Sequence, residues 1–282
     1  MIGLLIGDVE NSFYSTIAKN VESVARGAGY HVVLCNSNDD PTLEREYLKI
    51  LSGMQVDGLI LTPTSRNRRQ LQQLLDGGTT IIQMDRRVER LDADAILVDN
   101  DAGAHSAVTR LIAAGHSRIG ILTGGLDVLT ATERLAGYLR ALKEHAIPIH
   151  ERLIKTGSFH REHAIEDAAD LVDATPSPTA IFAANNILAE ACLVAFAERS
   201  LKVPRDISLI AFDDVPWMSM VNPPVTTVRQ PVVDMARGAA ELMLRRLHED
   251  GRGQPSAVVF LTELVERGSV APLRRVRAAS SS

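Results

Sequence analysis

The sequence predicts an α/β protein built as two similar parallel-sheet lobes. Three observations carry that expectation. Short β-branched apolar runs alternate with amphipathic helical patterns along almost the whole chain, the order of βαβ units. The runs are apolar at nearly every position, as in strands covered on both faces. The chain has 282 residues, more than one ordinary core encloses, so two subdomains are expected.

The elements follow in order. Ile2–Ile6 is a short apolar run. Asn11 or Ser12 then offers an N-cap, and Ile17, Val21, Val24, Ala25 and Ala28 make one helix face that ends at Gly29. Residues 31–35 form the next strand. Asp40-Pro41 opens a second helix with proline at its first position, and Leu43, Tyr47, Leu48 and Leu51 face inward. Strand 57–61 leads to a helix around Leu71, Leu74 and Leu75, and strands Thr80–Met84 and 95–98 follow. A second series pairs helix 104–114 with strand 118–122, helix 131–145 with strand 153–156, helix 162–172 with strand 179–183, and helix 187–199 with strand 207–212. The end departs from this rhythm. Strand 225–228 precedes helix Val232–His248, and residues 257–266 form one β-like run longer than a typical strand. Such a run can leave one sheet and enter another. Two lobes joined by several crossover segments would make a hinged ligand cleft.

Composition narrows the function. With 45% apolar and 23% charged residues, the chain reads as a soluble globular protein. A net charge of −5 argues against this chain being a DNA-binding surface, which needs a basic face. Arg66, Arg68 and Arg69, and Arg274, Arg275 and Arg277, read as solvated loop and tail charges. Cys35 and Cys192 lie in apolar patterns and read as small buried hydrophobes, with nothing pointing to an oxidising compartment. Residues 1–8 do not form a signal peptide and no apolar run reaches membrane-spanning length, so the cytoplasm is expected.

Catalytic signatures are missing: no P-loop, no G-x-G-x-x-G, no G-x-S-x-G. Gly124-Gly125 marks a turn. His160 and His163 could bind a metal, but no further ligand is near in sequence, and an exposed pair is the simpler reading. Binding is favoured over catalysis, and the chain is not expected to be an enzyme. Candidate binding groups fall where βα turns should be: Phe13 and Tyr14, Arg134, Phe159, Asn185-Asn186, Asp213-Asp214 and Gln230. Each has a structural alternative, such as a buried helix aromatic, a solvated arginine, or an N-cap for Asn185. Their shared position after strands is the stronger signal, because ligands of open α/β sheets bind outside the carboxyl ends of strands. Carboxylates, amides, guanidinium and aromatic faces together suit a small polyhydroxy ligand.

An ordered set of motifs spans nearly the whole chain. It comprises Asn11-Ser12-Phe13-Tyr14, Val98-Asp99-Asn100 with Gly103, Gly115-His116-Ser117-Arg118-Ile119, and Arg134 with Gly137-Tyr138. It continues through Pro178-Thr179-Ala180, the run Val203 to Asp214, Pro224 to Pro231, and Leu264-Val265-Glu266-Arg267-Gly268-Ser269. This series resembles the effector-binding core of the LacI/GalR family of bacterial transcriptional regulators. The resemblance implies a pair of lobes of the periplasmic-binding-protein type I kind around a ligand cleft. Residues 1–100 plus 231–256 would form the N-terminal lobe, 101–230 plus 257–273 the C-terminal lobe, and 274–282 a tail. It implies that Phe13 and Tyr14 face the ligand from the first lobe, and that Thr130 and Arg134 hydrogen-bond it from the second. Phe159 would stack on it, Asn185 and Asp213 would make polar contacts, and Gln230 a crossover contact. No cofactor is implied beyond a small-molecule effector, a sugar by the family's habit. The implied partners are a second copy, through helices near 42–52 and 68–75, and operator DNA. The family reads DNA through an N-terminal helix-turn-helix that is absent from this chain, which begins at the first core strand. No membrane is implied. Ser12 replaces the family's usual proline, and Asn186 replaces its usual aspartate. The alternative is a solute-binding protein of a transport system, against which the missing signal peptide and the Pro223 to Pro231 segment speak.

Overall fold

The computed structural model describes residues 1–157, 161–248 and 253–273, with backbone only at 161 and 162. The chain starts with β1 (Ile2–Ile6), α1 (Ser12–Gly27), β2 (Val32–Asn36), α2 (Pro41–Gly53), β3 (Gly58–Leu61), α3 (Arg68–Asp76), β4 (Thr80–Met84) and β5 (Asp94–Val98). It continues with α4 (Asn100–Ala113), β6 (Ile119–Thr123), α5 (Leu129–Glu144), β7 (Ile154–Thr156), α6 (Arg161–Val172), β8 (Ala180–Ala183), α7 (Asn186–Glu198) and β9 (Ser208–Phe212). Last come β10 (Thr226–Arg229), α8 (Val232–His248), β11 (Ala257–Phe260) and β12 (Glu263–Val265).

These strands make two six-stranded sheets, ordered β11-β5-β4-β3-β1-β2 and β12-β10-β9-β8-β6-β7. The first is parallel throughout. The second is parallel except where β12 runs antiparallel to β10. Both sheets are wound alike: the chain moves to one side of β1 or β6, then reverses past it. That reversal is a topological switch point, and polar groups at the carboxyl ends of the strands beside it are placed for a ligand.

The long run at residues 257–266 does change sheets. Ala257–Phe260 extends the first sheet beside β5, pairing Val258 with Ile96. Glu263–Val265 joins the second, pairing Leu264 with Val228. Between them Asp99 holds the turn, its N–H donating to the Phe260 carbonyl at 3.1 Å and its carboxylate accepting from the Thr262 N–H at 2.7 Å. Residues 257–262, expected in the second lobe, therefore belong with the first unit, and residues 263–273 stay with the second. The first compact unit comprises Met1–Asp99, Asp127–Thr130 and Gln230–Thr262; the second comprises Asn100–Leu126, Ala131–Arg229 and the chain from Glu263. The sequence hides this break because neither glycine nor proline marks it.

The first unit has a core on each face of its sheet. Leu4, Ile6, Ile60 and Ile82 pack with Ile17 and Val21 of α1 and with Met235, Ala239 and Met243 of α8. The alternate strand residues Leu5, Leu59, Leu61 and Ile81 pack with Leu48 and Leu51 of α2 and Leu71 of α3. Covering both faces explains why every residue of β1 and β3 is buried. Burying each such leucine or isoleucine contributes about 1.5–3 kcal/mol. The second unit has one larger cluster that includes Phe182, Phe212, Phe196 and Tyr138. Cys35 and Cys192 are free and buried; burial pushes both thiols up, Cys192 to about 12, so neither is a reactive thiolate.

Candidate binding site

In the second unit, the carboxyl ends of β8 and β9 converge on Arg134. Arg134 lies in α5, and Gly137 one turn later explains why it reaches so far. A Cβ at Gly137 would stand 2.2 Å from the Asp101 carbonyl and 2.9 Å from Ala104 Cβ, so only glycine lets α5 pack this closely on α4. The close approach puts Arg134 Nε 2.8 Å from Asn100 Oδ1 at the start of α4. Its Nη1 donates to the Ala184 carbonyl at 2.6 Å, just after β8. Its guanidinium stacks on Phe212, the last residue of β9, 3.7 Å from the ring centroid. Asn100 Nδ2 in turn donates to Glu133 at 2.8 Å, which fixes the amide that orients Arg134. A guanidinium has five N–H donors. Two are used here, and the others have no partner among the described residues.

Two polar residues flank this arginine. Asn185 caps α7, its Oδ1 accepting from the Leu188 N–H at 2.8 Å. The capping alternative is therefore correct for its oxygen. Asp213 is 5% exposed, has φ +73°, and accepts from the Asn186 N–H at 3.2 Å. That left-handed conformation is uncommon for a residue other than glycine, and Asp and Asn adopt it most readily. The turn brings the Asp213 carboxylate back over the start of α7 instead of continuing the strand. Asp214 has a different role. Its carboxylate is bound by Arg267 at 2.7 Å and Arg229 at 2.8 Å. Burial pushes this carboxyl up, but hydrogen bonds from Arg267, Arg229 and Thr227 outweigh it and hold Asp214 below the usual carboxylate range. It ties β9, β10 and the segment after β12 together.

In the first unit, Asn11 caps α1 through the Phe13 N–H at 3.0 Å, so the cap is Asn11 and Ser12 begins the helix. Phe13 and Tyr14 are both buried and pack edge to face, with centroids 5.1 Å apart. A Cβ at Gly7, just past β1, would meet Asp39 Oδ1 at 2.5 Å and Tyr14 Oη at 3.0 Å, so these polar groups close over the strand end. Asp39 pairs with Arg86, and Arg86 follows Asp85, which has φ +68° at the end of β4. Burial pulls the Arg86 guanidinium down, but Asp39, Tyr14 and Asp85 more than restore it, so it stays charged.

The structure thus brings Arg134, Asn185 and Asp213 to one strand-end cluster in the second unit. It pairs Phe13 with Tyr14 in the first. Thr130, expected on the second lobe, is buried in the first turn of α5 and groups with the first unit, and Gln230 is buried at the crossing between β10 and α8. Phe159 and His160 lie outside the described residues. Among the described residues, no group of three or more His, Cys, Asp or Glu is arranged to hold a metal. Three participants escaped the sequence reading. Asn100 sits inside the recognised Val98-Asp99-Asn100 motif but was given no role. Asp85 and Arg86 follow a strand just as Asp213 and Asp214 do, and that parallel was the available signal.

Comparisons with known proteins agree with this geometry. Residues 108–270 match a family described as a periplasmic binding protein-like domain, more than half of the chain. The HTH-type transcriptional repressor PurR of Vibrio atlanticus (strain LGP32) is 33% identical over 274 residues, covering 96% of this chain and 81% of that protein. The chain belongs to the LacI/GalR family of transcriptional regulators. Two solved structures superpose on it. A LacI family transcriptional regulator from Enterococcus faecium, with bound ribose, has a TM-score of 0.88 at 25% identity and covers 97% of this chain and 99% of that one. The transcriptional regulator CelR in complex with cellobiose has a TM-score of 0.86 at 27% identity, covering 95% and 84%. Within the LacI/GalR family this chain is the effector-binding domain, and the two wound sheets are its periplasmic-binding-protein-like architecture. No helix among the described residues is long and apolar enough to cross a membrane.

Proposed function

We propose that this chain binds a sugar or similarly small polar metabolite and passes its occupancy to operator DNA. The observation that carries the reading is the preset Arg134. It is fixed by Asn100, the Ala184 carbonyl and the Phe212 ring, with donors left over, and Asp213 follows Phe212 in the same strand-end cluster. Spare donors next to a fixed acceptor match vicinal hydroxyls, which both donate and accept. A prepositioned clamp also lowers the ordering cost of binding. The ribose and cellobiose held by the two solved relatives support a sugar as the ligand class.

On this reading Arg134, Asn185 and Asp213 are the polar contacts of the second unit. Phe13, Tyr14, Thr130, Phe159 and Gln230 are the further contacts the family resemblance implies. Asp85 joins them by its matching position at the end of β4. We further place the protein in the cytoplasm as a homodimer, with DNA contact through a helix-turn-helix segment, as in regulators of this kind. Asn186 in place of the family's usual aspartate leaves Asp213 as the principal acceptor at the end of β9.

Calorimetry against a panel of pentoses, hexoses, disaccharides and nucleosides tests the reading. One ligand class should bind saturably, and Arg134→Ala and Asp213→Ala should each weaken it at least thirtyfold while the fold stays intact by circular dichroism. A full panel with no binding, or two variants with unchanged affinity, contradicts it.

A further inference from the structure

The groove between α2 and α3 carries a charge pattern that the effector site does not use. It encloses about 560 Å3. Arg45 and Lys49 of α2, Arg66 ahead of α3 and Arg69 in its first turn all line it, and no aspartate or glutamate does. Arg66 and Arg69, solvated loop charges by sequence alone, are set by the fold opposite two more cations. Arg45 Nε donates to Asn67 Oδ1 at 3.2 Å, and Gln70 donates to the Arg45 carbonyl at 3.1 Å, so the two walls are fixed to each other.

Three of the four cations have no acidic partner among the described residues. Arg45, Lys49 and Arg69 form no ion pair there, and Arg66 makes a long one with Asp127 at 3.7 Å. Arg45 and Lys49 stand one helical turn apart, a like-charge spacing that costs an isolated helix a few tenths of a kcal/mol. The whole chain carries −5, so this concentration runs against its overall charge. A multivalent anion is the occupant that this charge pattern complements.

We propose that the α2–α3 groove binds a small multivalent oxyanion, with phosphoryl groups preferred. Planar guanidinium forks match phosphate oxygens two at a time. The volume falls in the range of small-metabolite sites. This site is separate from the effector cluster and does not rest on the effector being a sugar.

The experiment titrates the full chain with inorganic pyrophosphate by calorimetry at low and at physiological salt, with citrate as the carboxylate probe. Pyrophosphate should bind saturably, more tightly than citrate, and more weakly as salt rises. Arg45→Gln combined with Arg69→Gln should weaken it at least tenfold, and Lys49→Gln alone about threefold. Both variants should stay folded and keep the wild-type effector affinity, because these side chains are exposed. The proposal is overturned if pyrophosphate gives no saturable heat at low salt, or if its affinity is the same in all three proteins. It is also overturned if citrate binds more tightly than pyrophosphate. Equally, if pyrophosphate does not bind while sedimentation shows the double variant losing self-association, the groove is an interface between copies.

Discussion

In the first unit β4 ends in Asp85-Arg86, and in the second its topological counterpart β9 ends in Asp213-Asp214. The leading aspartate has a left-handed φ in both, +68° and +73°. The following residue carries opposite charge, and each unit neutralises it internally. Arg86 is answered by Asp39, Asp214 by Arg229 and Arg267. Two adjacent charges at a strand end are therefore unequal partners. The second belongs to the protein's own architecture, and on the proposed reading the first meets the ligand.

The sharpest way to break this division is Asp214→Ala. It leaves Arg267, only 15% exposed, without its carboxylate. Removing one partner of a buried pair costs about 3–5 kcal/mol, and urea unfolding should show a loss near the lower end, because Arg229 is half exposed and rehydrates. Effector affinity, measured on the folded protein, should stay within about threefold of wild type. A variant that keeps its stability but loses the effector would reverse the two roles.

Arg86→Met in the first unit should cost less, about 1–3 kcal/mol. Asp39 is 24% exposed and can take up water once its partner is gone. If this variant proved more destabilising than Asp214→Ala, the two corners would not be comparable in the way described.

Helix caps offer a finer test. Asn11→Ala and Asn185→Ala each remove a side-chain cap, worth about 1 kcal/mol, and should lower the melting temperature by about 2–4 °C. Asn185→Ser keeps the cap and should restore the melting temperature while leaving effector binding weakened. Full recovery of both would make Asn185 a cap and nothing more.

The smallest effect concerns pH. His116 is buried in the second unit, its ring nitrogens 2.9 Å from Thr179 Oγ1 and 3.1 Å from Ser208 Oγ and the Ala271 carbonyl. Burial holds the imidazole below its usual range, the Ala271 carbonyl opposes this, and Arg110 adds to it. A histidine whose folded proton affinity is lowered contributes stability above its unfolded pKa of about 6.5 and loses it as pH falls below that value. Melting of the second unit should therefore soften as pH falls below about 6.5, and His116→Gln should flatten that slope. Asp214 and Asp94, whose carboxyls are held low by their arginines against the effect of burial, lose their contribution only below about pH 4.

Much of the architecture was legible because strand covering is written in composition. Ile2–Ile6, Thr80–Met84 and Val232–His248 agree with the observed bounds, and most other elements differ by a residue or two. The break at Leu261-Thr262 was not legible, because the signal lies in Asp99, far away in sequence, which bonds both sides of it. The preference for Asp213 over Asp214 came from family resemblance, whereas its physical reason, a left-handed turn and two arginines from later segments, needs the fold. Asn100 was overlooked because its role is to hold another side chain, and Arg134 lies 34 residues away.

The most direct test is the structure of this chain with its effector bound. The account predicts a ligand hydroxyl within about 2.7–3.2 Å of an Arg134 Nη nitrogen and of the Asp213 carboxylate, with Arg134 still stacked on Phe212 and bonded to Asn100. A ligand bound without either contact, or an Arg134 that leaves Phe212 to meet it, would contradict the claim that the second unit presents a preformed clamp.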